Sequence, residues 1–267
     1  MKEKNILKSI DYLMLVCVIL ILGIGFLILE SATVNASVKY GMNFVVRQLI
    51  WSLIGFAAFF LMTLFDYSKL AKYHRWIYAF NLILLIAVLT VGKEAKGAQR
   101  LISIGSYQLQ PAEPVKLLMI LGLAQFLVPR IGKMNKIWQM MPVFLYVGLP
   151  LGLILLQPDL GTGLVYIAIM FGMMLVAGAS PVKLFLLITG GLGSVIMAIV
   201  AHYKWGLPIP LKEYQLMRLV VFVNPNVDPR DWGWHVIQAQ ISVGSGGLFG
   251  KGWKMGLQTA NEYLPEQ

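Results

Sequence analysis

The chain has 267 residues, 58% of them hydrophobic, and a mean hydropathy of +0.73, outside the range of soluble domains. Its formal net charge of +10 invites a nucleic-acid reading, but the bases are scattered among short loops instead of gathered on one face. Composition therefore points to an all-α, polytopic bundle of membrane helices and away from a nucleic-acid partner. The single cysteine, Cys17, lies inside the first apolar run, so no internal disulfide is available.

Seven apolar runs recur, each near the length needed to cross a ~30 Å hydrocarbon core. They predict spans over Tyr12–Leu29, Leu49–Phe65, Trp76–Val91, Val115–Val128, Met141–Leu156, Leu160–Ala177 and Leu184–Ala201. The first follows Lys2, Lys4 and Lys8, as a signal peptide would, but its 18 residues exceed a typical signal core and it reads as a retained helix. Orientation follows from the bias of lysine and arginine. The amino terminus, the 66–75 loop, the 129–140 loop and Lys183 together hold ten bases, against five (Lys39, Arg47, Lys93, Lys96 and Arg100) in the opposing short loops. The amino terminus is therefore expected in the cytoplasm, with residues 1–201 as a seven-helix membrane region and 202–267 as an extracytoplasmic loop. In that loop, Tyr214–Val223 predicts a short helix at the membrane surface, and Trp234–Val243 a second one capped by Gly244. Trp51, Trp76 and Trp138 sit near span ends as interface anchors.

The stretch Gln110-Pro111-Ala112-Glu113-Pro114-Val115-Lys116 opens the fourth run. Prolines at 111 and 114 fit only a first helical turn, so the helix begins there. Three residues apart, Glu113 and Lys116 share one face. Glu113 suits the partly positive helix start, whereas Lys116 needs a partner, and Glu113 is the nearest. The bland alternative is a helix-start carboxylate beside a snorkelling lysine. Intramembrane charges more often face a bundle interior or water, which favours a polar cavity. Gln157-Pro158-Asp159-Leu160-Gly161-Thr162 forms the hairpin between the fifth and sixth runs, and Asp159 there is explained equally well as an ordinary helix start. With Arg47 and Arg100 on the same side, these residues form an outward-facing charged set able to hold a charged headgroup.

Gly244-Ser245-Gly246-Gly247-Leu248-Phe249-Gly250-Lys251-Gly252 fails as a Walker A loop, because Ser245 and Gly252 occupy positions that need glycine and a hydroxyl. Its backbone amides, at Ser245, Gly246 and Gly247 above all, could still cradle an anion with Lys251 adding charge. A flexible loop with solvated lysines is the competing reading. His202 and His235 show no metal-ligand spacing, so no metal site is assigned.

Taken in order, these pieces resemble the SEDS family (shape, elongation, division and sporulation), its rod-shape RodA branch most closely. The matching residues are Arg47-Gln48-Leu49, Gly97-Ala98-Gln99-Arg100, the 110–116 and 157–162 stretches, Tyr214-Gln215 with Arg218, the 244–252 glycine run and Leu264-Pro265-Glu266. The resemblance implies about ten membrane helices in the bacterial cytoplasmic membrane and a peptidoglycan glycosyltransferase. Such an enzyme polymerises lipid II, an undecaprenyl-pyrophosphoryl disaccharide-peptide, at the outer leaflet beside a class B penicillin-binding protein. It implies Arg47, Arg100, Glu113, Lys116, Asp159 and Arg218 around the substrate cavity, and Ser245, Gly246, Gly247 and Lys251 near the pyrophosphate. No cofactor is evident, although a divalent cation assisting pyrophosphate departure would suit the chemistry. In the family a His-Thr-Asp-Phe motif follows Leu-Pro-Glu and its aspartate is the catalytic base. The chain stops at Gln267, just short of it and of three further helices, so an inactive shortened form is expected. The rival readings are a translocase for the lipid-linked precursor and a non-catalytic membrane scaffold for the penicillin-binding protein.

Overall fold

The computed structural model describes residues 11–34, 37, 41, 43–64, 66–95, 98–104, 107–157, 159–209, 213–256 and 263, with backbone alone at 67, 93–95, 98–100, 103–104 and 107–109. The Lys2, Lys4 and Lys8 cluster, Lys39, Gly97, Pro158 and Leu264-Pro265-Glu266 lie outside the described residues. The chain divides into two compact units, residues 1–65 with 208–267, and residues 66–207.

The first unit holds α1 (Tyr12–Ala32), α2 (Phe44–Leu64), α8 (Glu213–Val223) and α9 (Trp234–Gly246). Asp11 caps α1 by accepting the Met14 N–H at 3.1 Å. Asn43 Oδ1 likewise accepts from Val45 N (3.1 Å) and Val46 N (3.2 Å), so α2 starts five residues before the expected Leu49. The polar Arg47-Gln48 pair is thereby helical, because hydrogen bonding and not hydrophobicity decides where a helix begins. Between α8 and α9 the chain turns tightly at Gly233, where a Cβ would stand 2.1 Å from Pro225 O and 2.5 Å from Asp228 O. Only glycine fits that approach.

The second unit begins with a 3-10 segment, Tyr67–Tyr73, followed by α3 (His74–Val91), strands β1 (Lys93–Ala95), β2 (Ala98–Ile104) and β3 (Tyr107–Leu109), then α4 (Ala112–Leu127), α5 (Ile137–Leu156), α6 (Leu160–Val176) and α7 (Pro181–Trp205). The strands form an antiparallel meander, with Ala95 opposite Ala98 and Ile104 opposite Tyr107. This small sheet replaces the loop expected between the third and fourth spans. The architecture otherwise is the expected all-α membrane bundle. Six helical stretches among the described residues are long and apolar enough to cross a membrane, and Leu160–Val176 is a shorter apolar helix.

The core of this unit lies between α3, α4, α5 and α6. On α4 the buried positions Val115, Met119, Leu123 and Leu127 recur at helical spacing, and on α5 Met140, Val143, Val147 and Ile154 do the same. Pro150 inside α5 lacks the N–H that would reach the Tyr146 carbonyl four residues earlier. The Tyr78 hydroxyl of α3 donates to that carbonyl at 2.8 Å. The Tyr146 ring is stacked between Tyr78 (4.1 Å between centroids) and Phe126 (4.4 Å), with the Arg130 guanidinium 3.8 Å over Phe126. Gly122 makes room for this stack, since a Cβ there would meet the Tyr146 hydroxyl at 2.6 Å.

Candidate functional site

The start of α4 is built as the two prolines require: Pro111 stands at the N-cap and Pro114 in the first turn. The helix then places Glu113 and Lys116 on one face, with Lys116 Nζ 2.8 Å from Glu113 Oε2. The lysine is the more enclosed partner, its side chain 21% exposed against 58% for the glutamate.

Asp159 is buried and caps α6. Its Oδ1 accepts the Thr162 N–H at 3.1 Å, and its Oδ2 accepts the Thr162 hydroxyl at 2.9 Å. Gln110 Nε2 donates to the same Oδ2 at 3.2 Å, tying the residue before α4 to the start of α6. The two carboxyl oxygens have lone pairs for all three donors. The helix-capping reading of Asp159 therefore holds, and the carboxylate also reaches the stretch that carries Glu113 and Lys116.

Deeper in the same unit, Asn81 is fully buried and its Nδ2 donates to Val115 O at 3.1 Å. Gln157, also buried, donates to Leu85 O at 3.1 Å. Among the described residues, Asn81 Oδ1 and the Tyr166 hydroxyl are buried without a hydrogen-bond partner. The polar set at this end of the unit is thus larger than the charges that stand out in the sequence. Asn81 and Tyr166 escape sequence reasoning, because an amide or a phenol inside an apolar run carries no motif. The available signal is their place on the core face at helical spacing.

The remaining candidates are distributed differently. Arg47 is exposed on α2 of the first unit. Arg218 on α8 lies over the Tyr214 ring, 5.5 Å from its centroid. Arg100 belongs to β2, and its side chain lies outside the described residues. Ser245 and Gly246 form the last turn of α9, which runs past the expected cap at Gly244. Ser245 Oγ donates to Ser242 O at 3.1 Å, so this hydroxyl is engaged with its own helix. In the segment after it, Gly247, Gly250 and Gly252 take positive φ (55°, 73° and 100°) and Lys251 is exposed. Glu113, Lys116 and Asp159 thus lie in the second unit, while Arg47, Arg218 and Lys251 belong to the first.

Residues 11–267 match the FtsW/RodA/SpoVE family of cell cycle proteins. The chain belongs to the SEDS family. Among relatives of this SEDS chain, the peptidoglycan glycosyltransferase RodA of Treponema pallidum is 30% identical over 328 residues, covering 97% of this chain and 74% of that one. A probable peptidoglycan glycosyltransferase FtsW of a Thioalkalivibrio species is 34% identical over 265 residues, covering 97% and 64%. The SEDS chain spans between 52% and 74% of the length of such relatives. Its fold is similar to a chain in a solved structure described as the structural coordination of polymerization and crosslinking by a peptidoglycan synthase complex. The TM-score is 0.68 at 31% identity, over 89% of this chain and 66% of that one. The crystal structure of Thermus thermophilus RodA shares the fold at TM-score 0.58 and 24% identity, over 93% and 89% of the two chains.

Proposed function

We propose that this SEDS chain derives from a peptidoglycan glycosyltransferase that takes lipid II at the outer leaflet of the bacterial cytoplasmic membrane. It works beside a class B penicillin-binding protein, and its amino terminus is cytoplasmic. The observation that carries the reading is the Glu113–Lys116 pair together with the buried Asp159–Gln110 bond, in a chain whose relatives carry that activity in their names. In the reaction the acceptor sugar hydroxyl attacks the anomeric carbon of the donor, forming a β-glycosidic C–O bond. The α-linked C–O bond to pyrophosphate breaks, and the hydroxyl proton passes to a carboxylate base. The departing pyrophosphate requires cationic or amide stabilisation, a role that falls to Lys251 and the glycine segment around it. Glu113 and Asp159 hold the polar wall in register and are not assigned as the base.

The test is polymerisation of labelled lipid II by purified protein. A polypeptide ending at Gln267 is expected to make no glycan, and one continued through a His-Thr-Asp-Phe segment and further helices is expected to be active. Glycan synthesis by the 267-residue form would overturn the assignment of the base. Translocation of lipid II across vesicles without polymerisation by the continued chain would favour the translocase reading. In the continued chain, Glu113→Ala strands Lys116 and should impair complementation far more than Lys69→Ala on the 3-10 segment; equal effects would remove the charge pair from the argument.

A further inference from the structure

The last turn of α1 and the chain that follows it border a cavity of about 560 Å3, lined by Glu30, Thr33, Ser37, Asn43 and Lys254 among others. Lys254 reaches it from the opposite end of the sequence. Its backbone N–H donates to Ser31 Oγ at 2.9 Å, and its ammonium meets Glu30 Oε1 at 2.9 Å. It does so with φ at 59°, alone in this among the side-chain-bearing described residues. A lysine gains nothing locally from a left-handed backbone, so its surroundings hold it there, and such positions concentrate where a side chain has work to do. Both charged side chains stay about half exposed, at 41% and 51%, so water competes for the pair and it holds weakly by itself. The cavity therefore offers an anion and a cation side by side, each able to exchange its present partner.

The helix beneath the cavity narrows the class of ligand. α1 has no buried residue, and most of its long apolar side chains from Leu13 to Ile28 are exposed, with Leu15, Leu22 and Phe26 half-buried. Its 21 residues span about 31 Å, the thickness of a hydrocarbon core, so the cavity at its end lies at headgroup depth. We infer that this cavity is a headgroup site for a zwitterionic phospholipid, with its primary ammonium on Glu30, its phosphate on Lys254 and its acyl chains along α1. A primary ammonium has N–H donors for the carboxylate, which a quaternary one lacks. A headgroup of net negative charge would draw Lys254 away from Glu30 and bring no ammonium to replace it. None of the residues assigned to glycosyl transfer takes part, and the inference stands or falls apart from that reading.

The experiment is native mass spectrometry of the purified full chain, delipidated and then given phosphatidylethanolamine, phosphatidylcholine or phosphatidylglycerol of matched acyl chains. Phosphatidylethanolamine should be retained about fivefold or more over the other two. Glu30→Gln should abolish that preference. Lys254→Gly should abolish it as well while preserving the fold, because glycine is at ease with positive φ and keeps the N–H that bonds Ser31. Equal retention of the three lipids by the unaltered chain, or a preference for phosphatidylglycerol, overturns the site. So does a preference for phosphatidylethanolamine that survives in Lys254→Gly protein eluting as a folded species in gel filtration.

Discussion

The bond from Tyr78 to the Tyr146 carbonyl is the most direct test of how the second unit is held together. Pro150 removes the helical donor that this carbonyl would otherwise have, and the Tyr78 hydroxyl replaces it at 2.8 Å. Tyr78→Phe deletes the donor and leaves the ring stack in place, so what is lost is one hydrogen bond with its acceptor stranded. A buried acceptor left unsatisfied costs roughly 1–3 kcal/mol. Interhelical bonds inside membrane proteins measure lower, roughly 0.6–1.7 kcal/mol. The expected destabilisation is therefore about 1.5 kcal/mol, a fall of about 3–6 °C in unfolding temperature for a chain of this size. Pro150→Ala restores an N–H opposite the same carbonyl. On that background Tyr78→Phe should cost less than about 0.5 kcal/mol, and the shortfall is the coupling of a double-mutant cycle. Thermal unfolding of the four purified proteins in detergent, followed by the fraction eluting as folded protein in gel filtration, reads the cycle. An equal loss from Tyr78→Phe in both backgrounds would refute the claim that the hydroxyl substitutes for the missing helical donor.

Asp159→Ala removes the α6 cap and leaves the Gln110 and Thr162 donors without their acceptor, for an expected loss of about 2–3 kcal/mol in the same assay. Asp159→Asn keeps the Oδ1 cap and should cost about 1 kcal/mol, so two equally damaging substitutions would mean that charge, not capping, holds the residue. Gly122→Ala drives a Cβ against a tyrosine hydroxyl that is stacked on both ring faces and cannot step aside, which should cost about 1–3 kcal/mol. Tyr146→Phe removes that oxygen and should recover most of the loss. An undiminished defect in the double variant would place the clash elsewhere.

Much of this fold was legible because apolar runs in a membrane chain are long and each becomes a helix. The start of α4 was legible to the residue or nearly so, since Pro111 and Pro114 tolerate only a first turn. Helix ends governed by hydrogen bonding were not. Asn43 starts α2 early by accepting two backbone N–H groups, a role that an asparagine in a polar loop does not advertise. Gly244 looked like the end of α9, but glycine costs a helix only about 1 kcal/mol, and the chain leaves the helix at Gly247. The sheet after α3 was missed because its strands are three to seven residues long, although Gly105-Ser106 between two apolar stretches is a hairpin signal. At the site, opposite charges three residues apart announced the Glu113–Lys116 pair. Asn81 stayed hidden because what makes it matter is the Val115 carbonyl it meets from another helix, and Tyr166 because a phenol inside an apolar run carries no motif.

Gln110 stands between β3 and α4, and its amide grips the carboxylate that begins α6. This side chain joins the segment that follows the meander to the start of a membrane helix. Anything that tugs on the hairpin is felt at Asp159 before it can reach the lysine one turn into α4. Loss of that amide would release the segment after β3 from Asp159 and leave the helices' own hydrogen bonds in place.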